Sequence, residues 1–371
     1  MLDQWKIKCL VPDLPSAEDV LPFLRRMDNE RWYSNFGPLV REFEAGMCHF
    51  IGAMSPRPVE TLTTVTFSSA TTALEILLRV SDLPAKARIL TPALTFSATA
   101  GAIRLTGHQP VFSDVDPATW DLTPALARAA AEQTKIDAVM PVAIYGYPLD
   151  MAAWAAFQAE TGIPVFVDAA AALGNQEVHP DIPVCFSLHA TKPFGVGEGG
   201  LLVTGQRDLA ERARRLTNFA FVDGTSREVG TNAKMAEAMA AYGLSQLIRF
   251  TDVQERRKTV LRHYISAFGL ERFHPATNRY IPGTLLLDTS GKALEVAAAL
   301  EVAAIQVRKW YFPPLDEHAA YADADVLHSR DGARLPVIHD LKTRLIGLPF
   351  HAFLSEDDIQ TVAKTCQNVL S

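Results

Sequence analysis

One segment of the sequence concentrates residue types that can do chemistry. It runs from Val184 to Gly200 and places an apolar, strand-like stretch before Ser187, then Lys192, then glycines at 195, 197, 199 and 200. Glycine permits positive φ angles and the close approach of a ligand or a neighbouring chain. A lysine amine can act as nucleophile and base when burial favours its neutral form. The segment therefore indicates a lysine-based active site, although a lone lysine after a strand is more often simply solvated.

The same glycines match the dinucleotide-binding pattern Gly195-x-Gly197-x-x-Gly200. That pattern binds a pyrophosphate only where it opens a helix. Here the next residues, Leu201 to Thr204, predict a strand instead. We therefore reject a Rossmann-type dinucleotide site.

Further segments place polar or aromatic groups where predicted strands end. Asp168 follows the apolar residues 163–167, and it can cap the next turn or pair with a protonated pyridine nitrogen. Ser69 and Thr71 link a strand to a helix; either can be an N-cap, and the same geometry directs backbone N–H groups at a phosphate. Phe96 follows another strand, where it can fill the core or stack on a planar ligand.

The elements that must position these residues alternate. Short apolar strands and helical stretches follow each other from about residue 60 to 205, which predicts a mostly parallel sheet with helices on both faces. Ligands bind at the carboxyl ends of such strands. Lys234 to Phe268 predicts a long, interrupted helix, followed by a smaller α/β layer. We expect an N-terminal segment that packs on both domains (1–50), a large domain (51–250) and a small C-terminal domain (251–371).

Composition excludes several classes of protein. The 371 residues are 48% hydrophobic and 21% charged, which suits a large folded core. The net charge of −7 without a concentrated basic patch argues against a nucleic-acid or anionic-membrane partner. Four scattered cysteines predict neither a disulfide framework nor a metal site. The start lacks the layout of a signal peptide, and no apolar run is long enough to span a membrane, so we expect a cytoplasmic protein.

A lysine for an imine, an acid for a ring nitrogen, a phosphate cradle and an aromatic ring together describe a pyridoxal 5′-phosphate (PLP) site. The sequence resembles the DegT/DnrJ/EryC1/StrS family of PLP-dependent sugar aminotransferases. Ordered landmarks over nearly the whole chain carry the resemblance, among them Ser69-Ala-Thr-Thr-Ala-Leu, Phe186-Ser-Leu-His-Ala-Thr-Lys and Tyr311-Phe-Pro-Pro-Leu. The resemblance implies fold type I, the aspartate-aminotransferase-like α/β architecture.

The resemblance also implies roles for individual residues. Lys192 would form the Schiff base with PLP and later shuttle a proton, Asp168 would pair with the pyridine nitrogen, and Phe96 would stack on the ring. The phosphate would be held by Ala70, Thr71 and Ser187. Asn232 would reach a phosphate in a partner subunit of a homodimer with shared sites, or else make a local turn.

The sequence departs from the family pattern at four positions. Ala171 stands where relatives commonly carry the Gln or His that contacts the ring hydroxyl of the cofactor, which leaves that oxygen to another donor or to water. Ala143, Tyr147 and Asp316 replace a usual His, Gln and His. By position alone, the candidates for the sugar pocket are Tyr33, Lys234, Tyr311 and His318.

The activity implied is amino transfer from an amino acid, L-glutamate by resemblance, to a nucleotide-linked keto-deoxysugar in amino-sugar biosynthesis. The cofactor would alternate between PLP and pyridoxamine phosphate. A non-nucleotide keto-cyclitol as acceptor and a non-catalytic PLP or sugar sensor remain alternatives. Relatives that dehydrate sugars carry histidine in place of the lysine, so Lys192 argues against dehydration.

Overall fold

The central sheet is built from strands that alternate with helices along the chain. The computed structural model of the protein describes residues 4–54, 62–329 and 332–371. The strands are β1 (Thr63–Phe67), β2 (Arg88–Pro92), β3 (Gln109–Ser113), β4 (Ala138–Val139), β5 (Val167–Asp168), β6 (Val184–Ser187) and β7 (Gly200–Thr204). One half of the sheet has the strand order β1-β7-β6-β5, and the other half has the order β4-β2-β3. Two parallel bridges, Val139–Val165 and Val142–Asp168, join the two halves.

Among these strands β7 alone runs antiparallel to its neighbours β1 and β6, and the other pairings are parallel. A short strand β11 (Asp325–Val326) from the later part of the chain extends the β3 edge in parallel. The predicted mostly parallel α/β sheet is therefore confirmed. Its parallel strands all end at one edge, so that edge collects the residues that follow them.

Helices cover both faces of this sheet. The helices of this part of the chain are α1 (Ala17–Glu30), α2 (Pro38–Gly52), α3 (Ala70–Val80), α4 (Ser97–Leu105), α5 (Pro124–Gln133), α6 (Met151–Thr161) and α7 (Arg207–Leu216). Side chains of one strand alternate between the faces: Phe186 packs into the core beneath α2 and α6, and Cys185 packs into the core beneath α3 and α7. Both cores are apolar because the strands between them are buried on each side.

A single helix, α8 (Glu237–Phe268), is 32 residues long and runs without interruption, so the interruption expected from the sequence is wrong. Gly243 does not break it. A Cβ at this glycine would lie 2.6 Å from the ring of Phe43, so the missing side chain lets α8 pack closely on α2. Val253 belongs to the core of the large sheet and Val260 to a separate core, so α8 connects the two. The domain borders predicted from the sequence, one of which lies inside α8 at residue 250, stay a prediction.

The later part of the chain forms a smaller α/β layer with its own core. The elements here are β10 (Leu286–Asp288), α9 (Ala293–Val302), α10 (Pro336–Arg344), β12 (Leu345–Gly347) and α11 (Glu356–Leu370), with β10 and β12 paired antiparallel. Residues 305–307, for which the sequence predicts a strand, contribute one parallel bridge between Ile305 and Ile7. Ile7 thereby packs into this second core, whereas α1 and α2 contact α8. Residues 1–3 of the predicted N-terminal segment lie outside the described residues.

A small hairpin, β8 (Phe221–Val222) with β9 (Thr225–Ser226), projects between α7 and α8 along the chain. None of the helices in the described ranges is long and apolar enough to cross a membrane. The cytoplasmic location stays a prediction of the sequence.

Candidate active site

A cavity of about 420 Å³ lies at the carboxyl edge of the large sheet. A narrow extension of about 50 Å³ continues from it and reaches Asp168. The cavity proper is lined by seven of the residues predicted from the sequence: Ala70, Thr71, Phe96, Ala171, Ser187, Lys192 and Tyr311. Lys192 also lines the extension, so the amine and the carboxylate that the sequence paired border one connected space.

Asp168 ends β5 and is only 4% exposed. Its Oδ2 accepts a 2.7 Å hydrogen bond from the hydroxyl of Thr99, and its Oδ1 accepts a 3.0 Å hydrogen bond from the backbone N–H of Ala170. Burial raises the pKa of Asp168, whereas both hydrogen bonds and nearby Lys192 lower it. By accepting from the N–H of Ala170, Asp168 caps the next turn, which is one of the two roles considered from the sequence. The carboxylate also borders the extension, so it remains available to a cationic ligand there.

Lys192 lies in the turn that follows β6. Its backbone N–H donates to the carbonyl of His189 at 2.9 Å, and Ser187 Oγ accepts from the backbone N–H of His189 at 3.2 Å. This turn places Lys192 in the cavity wall. Burial lowers the pKa of Lys192, and the charge of Asp168 opposes that shift only in part. Part of the amine is therefore neutral at a pH where an ordinary lysine is fully charged, as a nucleophile requires.

The start of α3 forms an anion cradle. Ser69 is the N-cap: its Oγ accepts from the backbone N–H of Thr72, and the Thr72 hydroxyl accepts from the backbone N–H of Ser69. In the described chain no hydrogen bond uses the N–H groups of Ala70 and Thr71, which point out of the first helical turn. Free N–H groups at a helix N-terminus are a ready site for a phosphate.

Gly200 explains how the cradle sits so near the lysine turn. In the sheet it pairs with Phe67 of β1 on one side and Ser187 of β6 on the other. A Cβ at this glycine would lie 2.6 Å from the nitrogen of Ala70 and would overlap the carbonyl of Ser69. The last glycine of the motif therefore lets β7 pack against the cradle, and it brings the cradle beside Ser187.

Phe96 immediately precedes α4, and its side chain is 57% exposed. The ring borders the cavity, and its centroid lies 5.9 Å from that of the Tyr311 ring. Phe96 is therefore a residue of the cavity wall and not of the core. Its open face suits a planar ligand, and its stacking on the cofactor stays a prediction.

Three candidates for the sugar pocket do not line the cavity of their own chain. The Tyr33 hydroxyl is 3.3 Å from Asp28 Oδ1, and His318 Nε2 is 3.0 Å from the carbonyl of Pro313. Lys234 Nζ donates at 2.8 Å to Asn232 Oδ1, and neither residue reaches the cavity within one subunit. The substrate or cofactor contacts predicted for these residues stay predictions, and for Asn232 and Lys234 they require a second subunit.

The departures from the family pattern divide into two groups. Tyr147 and Asp316 are buried and have structural partners: the Tyr147 hydroxyl is 2.7 Å from that of Thr277, and Asp316 forms a 3.0 Å ion pair with Arg334. Ala143 and Ala171 instead line the narrow extension of the cavity. The two alanines widen the site, whereas Tyr147 and Asp316 stabilise the walls behind it.

Sequence reasoning missed several residues of this site. Thr99 bonds Asp168 across 69 positions of sequence, which no local motif reveals. Arg308 lines the cavity mouth and has no carboxylate partner among the described residues, whereas many other arginines of the chain are ion-paired. In the sequence, Arg308 could have been linked to the site only because it lies three residues before Tyr311.

The donor set fits PLP. A free-N–H cradle suits the phosphate, a buried carboxylate suits the ring nitrogen, a partly neutral lysine suits the aldehyde, and an open aromatic face suits the ring. The fold and the site thus define a PLP-dependent enzyme of fold type I. A crystal structure of a putative PLP-dependent aminotransferase from Bacillus cereus ATCC 10987 superimposes with a TM-score of 0.86 at 21% identity, over 97% of this chain and 99% of that one.

The model of the DegT/DnrJ/EryC1/StrS aminotransferase family matches residues 16–367, and the chain belongs to this family. It is 29% identical to the dTDP-4-amino-4,6-dideoxy-D-glucose transaminase of Shigella dysenteriae, over 96% of this chain and 97% of the relative. It is 30% identical to DesI, solved in the presence of its TDP-sugar product, with a TM-score of 0.83 over 99% of this chain and 93% of that one. The protein is therefore an aminotransferase that uses PLP, as the resemblance implied.

Proposed function

We propose that this protein transfers an amino group from an amino acid, L-glutamate, to the keto group of a nucleotide-linked deoxysugar in amino-sugar biosynthesis. The observation that carries the proposal is the shared space between Lys192, whose pKa is lowered by burial, and buried Asp168. The names of the Shigella transaminase and of the DesI structure with its TDP-sugar product support a nucleotide sugar as the acceptor.

When bound, PLP supplies an electron sink for the carbon that carries the amino group. The chain supplies the rest. Neutral Lys192 Nζ would take the proton from the Cα of the amino donor and deliver it to the carbon that was the cofactor's aldehyde carbon, and it would reverse this transfer when the keto-sugar is aminated. The Asp168 carboxylate would keep a proton on the ring nitrogen. The N–H groups of Ala70 and Thr71 bind the phosphate, so the reacting atoms stay beside Lys192 in both half-reactions.

Charge and size at the cavity mouth support these substrates. A volume of about 420 Å³ is within the ordinary range for small-molecule sites. Arg308 presents an uncompensated cation there, and the α-carboxylate of an amino acid and the diphosphate of a nucleotide sugar are both anions. With a neutral cyclitol as acceptor, this arginine would have an anionic partner only in the half-reaction with the amino donor.

We further propose that the active protein is a homodimer in which Asn232 completes the phosphate site of the other subunit. Segment 219–232 supports this proposal: it carries exposed Phe219 and Phe221, and Val229 is 84% exposed. Exposed apolar side chains that are grouped in this way mark contact sites for another protein chain. Sedimentation should give twice the chain mass, and Asn232→Ala should weaken PLP binding without changing that mass.

The decisive experiment is an amine-acceptor screen with L-glutamate as donor. Nucleotide sugars with a keto group at C3 or C4 are compared with keto-cyclitols as acceptors. Products are identified by mass and NMR, and the 2-oxoglutarate formed is quantified. Multiple turnovers with a keto-sugar nucleotide support the proposal. Turnover with cyclitols alone contradicts the proposal and indicates a cyclitol aminotransferase. A single half-reaction without turnover also contradicts it and indicates a non-catalytic sensor.

A further inference from the structure

The narrow extension beside Asp168 lacks the side-chain donor that its family pattern supplies. Ala171 stands where relatives carry Gln or His, and Ala143 faces the same space. Neither alanine can donate a hydrogen bond from its side chain. A Cβ on Gly283 would lie 3.3 Å from the Cβ of Ala171, and one on Gly146 would lie 2.6 Å from its carbonyl, so loop backbone packs closely behind this position.

Besides Thr71 of the α3 cradle, three residues with hydroxyl groups line this extension: Thr95, Tyr145 and Tyr311. The hydroxyl of Thr95 lies 2.9 Å from that of Thr99, and the hydroxyl of Tyr145 donates at 2.7 Å to the carbonyl of Trp310. The hydroxyl of Tyr311 has no hydrogen-bond partner in the described parts of the chain. Tyr311 therefore brings the one uncommitted phenol to this end of the cavity.

The position of Tyr311 is held by its ring. The ring stacks on that of Tyr145 with centroids 5.6 Å apart and an interplanar angle of 8°. It also contacts the rings of Trp310 and Phe96, with centroids 5.4 and 5.9 Å away. Because Tyr145 is almost fully buried and bonded through its hydroxyl, it gives Tyr311 a fixed support. The phenol oxygen can thus hold one orientation in the cavity without a protein partner.

Three ends of the cofactor have assigned partners: its phosphate at Ala70 and Thr71, its ring nitrogen at Asp168, and its aldehyde carbon at Lys192. The edge that remains would carry the ring hydroxyl. Ala143, Ala171 and Tyr311 all line the narrow extension, and of these three only Tyr311 has a side-chain donor. We propose that the Tyr311 hydroxyl donates a hydrogen bond to this ring oxygen and replaces the donor missing at Ala171. The inference rests on the PLP site described above.

Electrostatics agrees with a donor role. Burial and the neighbouring charge of Asp168 raise the pKa of Tyr311, so the phenol keeps its proton throughout the working range of pH. A donor to the ring oxygen stabilises the anionic form of that oxygen. Without such a donor the anionic oxygen would hold the proton of the nitrogen that links Lys192 to the cofactor more tightly, so the Tyr311 hydroxyl would lower the pKa of that nitrogen.

The test is a pH titration of the visible absorption band of the purified holoprotein. Tyr311→Phe removes only a hydroxyl without a protein partner, so the fold should be retained, and the pKa of the linking nitrogen should rise by about one unit. Tyr147→Phe is the matched control, because it removes the hydroxyl of a buried tyrosine that is bonded to Thr277 and does not line the cavity. This control should titrate like the wild type.

The hydrogen bond of Tyr311 and the cofactor site itself are contradicted by different outcomes. A Tyr311→Phe titration identical to that of the wild type, with or without a higher KM for the sugar, contradicts the proposed hydrogen bond and leaves the PLP site intact. Wild-type protein that develops no visible band when supplied with PLP contradicts the cofactor site itself.

Discussion

The hydroxyl of Thr99 donates a 2.7 Å hydrogen bond to Oδ2 of Asp168, and both side chains are buried. Thr99 lies in the first turn of α4, three residues after Phe96, and its backbone N–H bonds the carbonyl of Phe96 at 3.2 Å. One helical turn therefore positions both the aromatic face of the cavity and the acid at its narrow end. A shift of α4 would displace both together.

Replacing Thr99 with valine keeps the shape of the side chain and removes the hydrogen bond. The bond lowers the pKa of Asp168, so its loss should raise that pKa and weaken the ion pair with the ring nitrogen. A hydrogen bond to a charged group contributes about 1.5–3 kcal/mol, which predicts a kcat lower by roughly 10- to 100-fold. Steady-state kinetics with Thr99→Ser as control provide the check. Equal rates for the valine and serine variants would show that the bond has no catalytic effect.

The rate at which apoprotein binds PLP covalently should follow the neutral fraction of Lys192. Because burial lowers the pKa of Lys192, this rate should rise with pH through a midpoint below about 10.4, the value for an ordinary lysine. The charge of Asp168 raises the pKa of Lys192, so Asp168→Asn should move the midpoint to still lower pH. Stopped-flow absorbance measures both profiles.

Lys192→Ala provides the baseline for these profiles. It should develop no lysine-linked band at any pH, although it can retain PLP weakly through the cradle. It should also show no turnover. A midpoint at or above the ordinary lysine value in the wild type would contradict the shift of the Lys192 pKa.

Gly200→Ala should damage the phosphate cradle from behind. The new Cβ would lie 2.6 Å from the nitrogen of Ala70, so either β7 or the start of α3 has to move. We expect the Kd for PLP to rise about tenfold or more, which corresponds to about 1.4 kcal/mol. Equilibrium dialysis of apoprotein with PLP gives the value. Gly101→Ala is the control, since its nearest neighbour would be the Tyr321 hydroxyl at 3.7 Å and binding should not change.

Arg308→Gln should weaken the binding of anionic substrates. Removing the uncompensated cation at the cavity mouth should raise KM for the amino donor or for the sugar nucleotide about tenfold, with a much smaller change in kcat. Lys309→Gln is matched in charge and adjacent in sequence, but Lys309 does not line the cavity, so its KM values should stay at the wild-type level. Equal effects of the two substitutions would indicate a general field of the surface and no specific contact at Arg308.

The fold class and the residues that follow the strand ends could be predicted from the sequence. The placement of Lys192, Asp168 and the segment Ser69–Thr71 at one edge was predictable because each is next to its own strand, and strands of one parallel sheet end at one edge. Their roles toward the cofactor stay predictions. Local patterning was less informative about α8, where the sequence predicted an interrupted helix and the structure has a continuous one, with Gly243 packed against Phe43.

Which distant loops reach that edge could not be predicted, because it depends on how the elements pack in three dimensions. Thr99 meets Asp168, and Arg308 and Tyr311 enter the cavity from the later part of the chain, whereas Tyr33 and His318, expected there by position, bond elsewhere. The physical reason is that these contacts depend on how α4 and the smaller α/β layer pack on the sheet. That packing is set by burial over many side chains, and a motif of a few residues does not record it.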